Sequence, residues 1–154
     1  GLDIVPFEVA PDLGNEYGLA GDDQRHRAVF NGIWQVGKGF QLSGLHYFGA
    51  GIRAANEYGG DLRVLGATGS ARLRPNGTLV ERNSYLQPFQ NKTDIRAQQR
   101  VPLGDRVAID LIAEVFNVFN RENFVETVQE SSANYGKPAS GQYRTGQLGF
   151  RLTF

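Results

Sequence analysis

The stretch from Arg25 to Gly51, RHRAVFNGIWQVGKGFQLSGLHYFGAG, decides the fold. A hairpin centred on Lys38 sets Val36 against Phe40, Trp34 against Leu42, Gly32 against Gly44 and Ala28 against Phe48. All of these are apolar or glycine. The other face sets Gln35 against Gln41 and Ile33 against Ser43. A one-residue slip would exchange the two faces, so the agreement specifies the register. The short turn Gly37-Lys38-Gly39 suits a hairpin.

The alternation returns from Lys92 to Asn120, KTDIRAQQRVPLGDRVAIDLIAEVFNVFN. Centred on Gly104, this second hairpin pairs Val101 with Val107, Ala97 with Leu111 and Ile95 with Ala113. Its other face carries Asp94, Arg96, Gln98 and Arg100 against Asp110 and Glu114. In that register Arg96 lies diagonally between Asp110 and Glu114, while Glu114 faces Asp94, an unfavourable like-charge pair. A last strand runs from about Tyr143 to Phe154. It places Leu148, Phe150, Leu152 and Phe154 on one side and Gln147, Gly149, Arg151 and Thr153 on the other. The expectation is an all-β chain of about five antiparallel up-and-down strands, with no helix.

Between the hairpins the periodicity disappears. Residues 51–91 and 120–142 read as long loops, and residues 1–24 as an acidic loop segment with Asp3, Glu8, Asp12, Glu16, Asp22 and Asp23 and no base. Residues 25–154 then form the strand region. Long loops in compact proteins are commonly functional.

Sixteen basic and sixteen acidic residues balance across 154 residues, which gives no electrostatic footprint for nucleic acid. Cysteine is absent, so disulfides and thiolate metal sites are excluded. No run approaches the ~20 apolar residues of a spanning helix. The chain starts on Gly1, lacks methionine and shows no signal peptide, which suggests part of a longer protein.

Alternation alone does not say which face is wet. A soluble sheet turns its apolar face inward, whereas a membrane barrel turns it outward to lipid. Strands of ten to thirteen residues match a tilted crossing of about 9–11. Connections alternate short and long, as in outer-membrane barrels. Arg96, Asp110, Glu114 and Arg151 sit mid-strand, where a dry core would resist them and a wet lumen accepts them. Aromatics gather at strand ends: Trp34, Phe40 and Phe154 by the short turns, and Tyr47, Phe48, Phe116, Phe119 and Tyr143 by the loops. Girdles of aromatic residues sit at such positions. Five strands leave two open edges, which do not span lipid alone, so the expected architecture is the C-terminal part of a larger transmembrane β-barrel.

DDQRHRAVFNGIWQV, FQLSGLHYFGAG, AEVFNVFNRENF and the terminal QLGFRLTF, within Asp22–Phe154, resemble the C-terminal part of TonB-dependent outer-membrane receptors. The likeness is to the large Oar-like type with an N-terminal carboxypeptidase-regulatory-like domain. The resemblance implies a 22-stranded, plugged barrel in the bacterial outer membrane that imports a scarce nutrient. It implies three partners: outer-membrane lipid, the barrel-assembly machinery, and the TonB complex, which acts only through an N-terminal plug. Leu148, Phe150, Leu152 and Phe154 resemble the terminal signal read by that machinery. This chain carries no plug and no TonB box.

Outer loops carry function, so Tyr58, Asp61, Arg63, Arg72 and Arg74 are the candidate ligand contacts. A solvated loop without ligand contact is the alternative. Asp94, Arg96, Asp110 and Glu114 read as a polar ladder rather than acid–base machinery, and no catalytic constellation is expected. His26 and His46 lack partners at ligand spacing, so no metal site is expected. No cofactor is implied. GATGSARLRPNG lacks the ending of a phosphate loop. The alternatives to a receptor are a surface-binding or adhesin-like barrel without active transport, and a soluble antiparallel β binding domain.

Overall fold

The computed structural model describes residues 14, 16–62, 64 and 71–154. The acidic residues Asp3, Glu8 and Asp12, the loop residue Arg63 and the glycine-rich segment 65–70 lie outside the described residues. The chain divides into two compact units. One contains residues 26–50, 89–123 and 141–154, and the other residues 1–25, 51–88 and 124–140. They are termed the sheet unit and the loop unit.

Nine strands follow in chain order, and no helix is present among the described residues. They are β1 (Arg27–Gly37), β2 (Phe40–Gly49), β3 (Arg53–Ala54), β4 (Tyr85–Leu86), β5 (Gln90–Pro102), β6 (Ala108–Phe116), β7 (Asn123–Glu126), β8 (Pro138–Gln142) and β9 (Thr145–Thr153). The sheet unit is built on a five-stranded sheet of order β1-β2-β5-β6-β9, with every neighbour antiparallel. This is an up-and-down meander, all-β as the alternation predicts. The four short strands, which the sequence did not suggest, pair as β3-β4 and β7-β8 in the long connections.

The first hairpin keeps its predicted register from Ala28↔Phe48 through Gly32↔Gly44 to Gln35↔Gln41. It departs at the turn, where Gly37 rather than Val36 faces Phe40 across a bulge. Gly37, Lys38 and Gly39 all take positive φ, at 116°, 52° and 78°. Glycine is needed twice at position 39. A Cβ there would also stand 2.5 Å from the Arg100 carbonyl oxygen, the strand that donates its N–H to Gly39 O at 2.8 Å.

The second hairpin corrects the expectation by two residues. Ala97 faces Ala113, Ile95 faces Val115 and Val101 faces Ile109. The turn spans Leu103–Val107 and is closed by the Leu103 N–H on Val107 O at 2.8 Å. A shift of two leaves each side chain on its face, so periodicity does not detect it. Charge does: Arg96 now faces Glu114 and Arg100 faces Asp110, replacing the Glu114–Asp94 clash with opposite-charge pairs.

These registers place Phe30, Trp34, Leu42, Phe48, Ile95, Leu111, Val115, Leu148, Phe150 and Leu152 on one face. That face is exposed: Trp34 is 65%, Phe150 75% and Leu148 87% accessible. Among the described residues only two hydrophobic side chains are buried, Val80 in the loop unit and Ala108 in the sheet. The sheet therefore has no dry core of its own. Folded monomers in water rarely leave so continuous an apolar surface open.

Candidate functional site

The opposite face of the sheet carries the charges. Arg96 Nη1 lies 3.3 Å from Glu114 Oε1, and Arg96 Nη2 donates to Gln98 Oε1 at 3.0 Å. Gln147 donates to the other Glu114 oxygen. Lys92 stands 3.3 Å from Asp94, whose second oxygen accepts the Asn117 N–H at 2.9 Å. Arg151 approaches Asp110 at 3.7 Å, with Asp110 only 3% accessible. The predicted ladder of Asp94, Arg96, Asp110 and Glu114 thus lies on two strands, β5 and β6, and is divided among separate ion pairs, one of them with Arg151 of β9. It does not converge on one point.

Within this charged face lies a concavity of about 330 Å³. Its floor follows from the register. One row of side chains across the sheet is Asn31–Leu45–Asp94, and the next is Ile33–Ser43–Arg96–Glu114. Phe116, which faces Thr145 on β9, walls the first row beyond Asp94. Gly32 and Gly44 face each other at its back, and the same glycine pair floors a notch of about 540 Å³ on the apolar face. Along the apolar notch, His46 Nδ1 and Thr93 Oγ1 stand 2.9 Å apart, so each partners the other.

Sequence reasoning missed this concavity. The available signal was the pair Ile33 and Leu45, apolar residues beside Asn31 and Ser43 on the face that carries the charges. Strand parity also redirects two expected girdle aromatics. Tyr47 shares the charged face with Lys92, and Phe116 with Thr145. Trp34 and Phe48 take the apolar face as predicted.

The EVFNVFN motif forms a corner at the loop end of the sheet. Asn117 and Asn120 take positive φ, at 53° and 50°, a conformation asparagine tolerates. The Asn117 amide donates to the carbonyls of Arg121 at 2.8 Å and Gln142 at 2.9 Å, and accepts the Arg121 N–H at 2.9 Å. It is 1% accessible. Asn120 accepts the Arg144 N–H at 3.0 Å, and Asn123 exchanges two hydrogen bonds with the Asn91 backbone at 2.7 and 2.9 Å. Three asparagines at intervals of three therefore clip β5, β6 and the approach to β9.

The loop candidates have definite places. Arg72 holds the Glu16 carboxylate in a two-pronged contact, with both bonds at 3.2 Å, and Arg82 binds the same carboxylate. Arg74 binds Glu130 through Nε and Nη2, each at 2.7 Å. That bond holds the Glu130 carboxyl below, and the Arg74 guanidinium above, their ordinary values. Tyr58 is fixed by its backbone, which donates to Ala71 O at 2.8 Å and accepts from Ser131 N at 2.9 Å. Asp61 accepts the Val64 N–H at 3.1 Å. Arg63 lies outside the described residues. Tyr85 donates to Glu126, and this hydrogen bond, with burial and the nearby charge, pushes its hydroxyl up to about 12. The segments around Arg72, Tyr85 and Glu130 are thus locked side chain to side chain.

Leu148, Phe150 and Leu152 lie on the apolar face of β9, and Phe154 follows its last residue. Among the described residues no three His, Asp or Glu side chains gather at metal-binding distance. No protein-family model matches the chain, and no curated protein or solved structure matches it significantly.

Proposed function

We propose that the chain supplies five strands to an outer-membrane β-barrel, as the closing part of a TonB-dependent type of receptor that takes up a scarce nutrient, and that it has no enzymatic role. The observation that carries the reading is the two-faced single layer: an exposed apolar face backed by a face of ion pairs. Lipid accepts the first and a wet lumen the second. The short turns at Gly37–Gly39 and Leu103–Val107 lie at one end of the meander, and both long connections leave from the other. That matches short periplasmic turns and long outer loops. β9 then runs toward the periplasmic rim, where Leu148, Phe150, Leu152 and Phe154 serve the assembly machinery. A surface-binding barrel without transport is the second reading. It is favoured by the side-chain bonds that tie the segments around Arg72, Tyr85 and Glu130 in place, as in a preformed binding surface.

The single tryptophan makes the test direct. Trp34 fluorescence is expected to be quenched by lipids brominated on their acyl chains. Two neighbouring substitutions on opposite faces sharpen it. Phe150→Arg is expected to weaken insertion by about 2–4 kcal/mol, whereas Gly149→Arg, whose side chain enters open space on the charged face, leaves it unchanged. A chain that is monomeric in detergent-free buffer with unquenched Trp34 would instead be a soluble β binding domain.

A further inference from the structure

We infer that the concavity on the charged face is a binding site for a small uncharged amphiphile, an apolar ring or chain carrying hydroxyl or amide groups. This rests on the receptor reading and names the class of molecule it would take. The volume of about 330 Å³ lies at the lower end of the small-ligand range.

The charge class follows from what is already paired. Arg96 faces Glu114, and Asp94 pairs with Lys92, two residues back on the same strand, and accepts the Asn117 N–H. Each ionic group lining or flanking the pocket has its counter-charge within 3.3 Å, so no net charge remains to hold an ion. An ionic ligand would have to break one of these pairs and lose its own hydration. What remains unengaged is neutral. The side chains of Asn31 and Ser43 make no hydrogen bond to another described residue, and they sit on one diagonal of the strand pair. Ile33 and Leu45 occupy the crossing diagonal, and Phe116 closes the far side. Apolar contact and neutral donors and acceptors therefore alternate at single-residue spacing, which suits a molecule with both kinds of surface. The sequence directs attention to loop arginines instead, yet Arg72 and Arg74 are bound to Glu16 and Glu130.

Equilibrium dialysis of the full chain against three probes sharing one aryl group tests this: para-nitrophenyl glucoside, para-nitrophenyl phosphate and para-nitrobenzylammonium. Saturable binding of one equivalent of the glucoside is expected, with both ions roughly tenfold weaker, about 1.4 kcal/mol. Ile33→Asp and Leu45→Asn are each expected to weaken the glucoside at least fivefold. Both residues are exposed, so neither change threatens folding. Gln41→Ala, outside the pocket, leaves binding unchanged. Equal binding of all three probes, preference for an ion, or no saturable binding overturns the site. Trp34 quenching run in parallel separates the two ideas. A chain that inserts into lipid without binding the glucoside loses only the site. One that binds without inserting loses only the membrane reading.

Discussion

The two units handle charge in opposite ways. In the sheet, Arg96–Glu114 and Arg151–Asp110 join directly facing residues of adjacent strands, and of these four side chains only Asp110 is buried. In the loop unit, Glu16 reaches Arg72 and Arg82, 56 and 66 residues away, and is buried with Arg72. The first arrangement decorates a structure that backbone ladders already hold. The second is what holds the structure, since Val80 is the loop unit's only buried hydrophobic residue among those described. Removing a charge should therefore cost little in the sheet and much in the loops.

The largest effect is expected from Glu16→Ala, which leaves two arginines without their shared carboxylate. Breaking a buried pair this way costs about 3–5 kcal/mol. Hydrogen exchange should show residues 71–82 opening while the β1–β2 ladder stays protected. Protection lost equally in both units would erase the contrast.

Next comes Asn117→Ala, expected to lower the stability of the sheet unit by about 3 kcal/mol. It removes three hydrogen bonds and keeps a positive φ that alanine resists. Asn117→Gly loses the same bonds without that strain and should be about 1 kcal/mol milder. Urea unfolding of the two variants measures the difference. Here the sheet depends on a buried polar group as the loops do, which confines the contrast to its strands.

Arg96→Glu places like charges face to face and is expected to cost about 1 kcal/mol, with Glu114→Arg in the same chain restoring it. Equal restoration by Asp110→Arg would instead indicate the two-residue-shifted hairpin, in which position 96 lies diagonally between both acids.

The loop unit also carries a pH dependence that the sheet's strands do not test. Tyr85 is raised from 10 to about 12, so its contribution is complete below pH 10 and is lost as pH rises through about 12. Tyrosinate absorption should show one tyrosine ionising well after its neighbours, and Glu126→Gln should bring it back. Glu130 is lowered, so its contribution is present above 4.5 and disappears as acid titrates it through its folded value.

Legibility follows the same divide. The faces of β1, β2, β5 and β6 were readable because each depends on residues a few positions apart. The register of the second hairpin was not readable from periodicity, since two candidate registers share their faces. The predicted Glu114–Asp94 repulsion nevertheless marked the wrong one. The bulge at Val36 was hidden because it arises from three consecutive left-handed residues rather than from hydrophobic pattern. Nothing local announces that Arg74 will meet Glu130 across 56 residues. The loop candidates were chosen because outer loops carry function, and the charge of two of them, Arg72 and Arg74, is what ties those two down. The pocket on the charged face rests on Ile33 and Leu45, two residues that break the alternation elsewhere used as the guide.

The strand count carries a geometric consequence. Five is odd, so the two border strands of the sheet, β1 and β9, point the same way. Setting one copy beside another with their long connections on the same side would bring β9 against β1 as parallel neighbours. An antiparallel join between copies demands a half-turn, which sends the second set of long connections to the far side. A ring with all neighbours antiparallel and one common rim for its loops therefore cannot be tiled from this unit by itself. It needs a complementary set of strands, also odd in number.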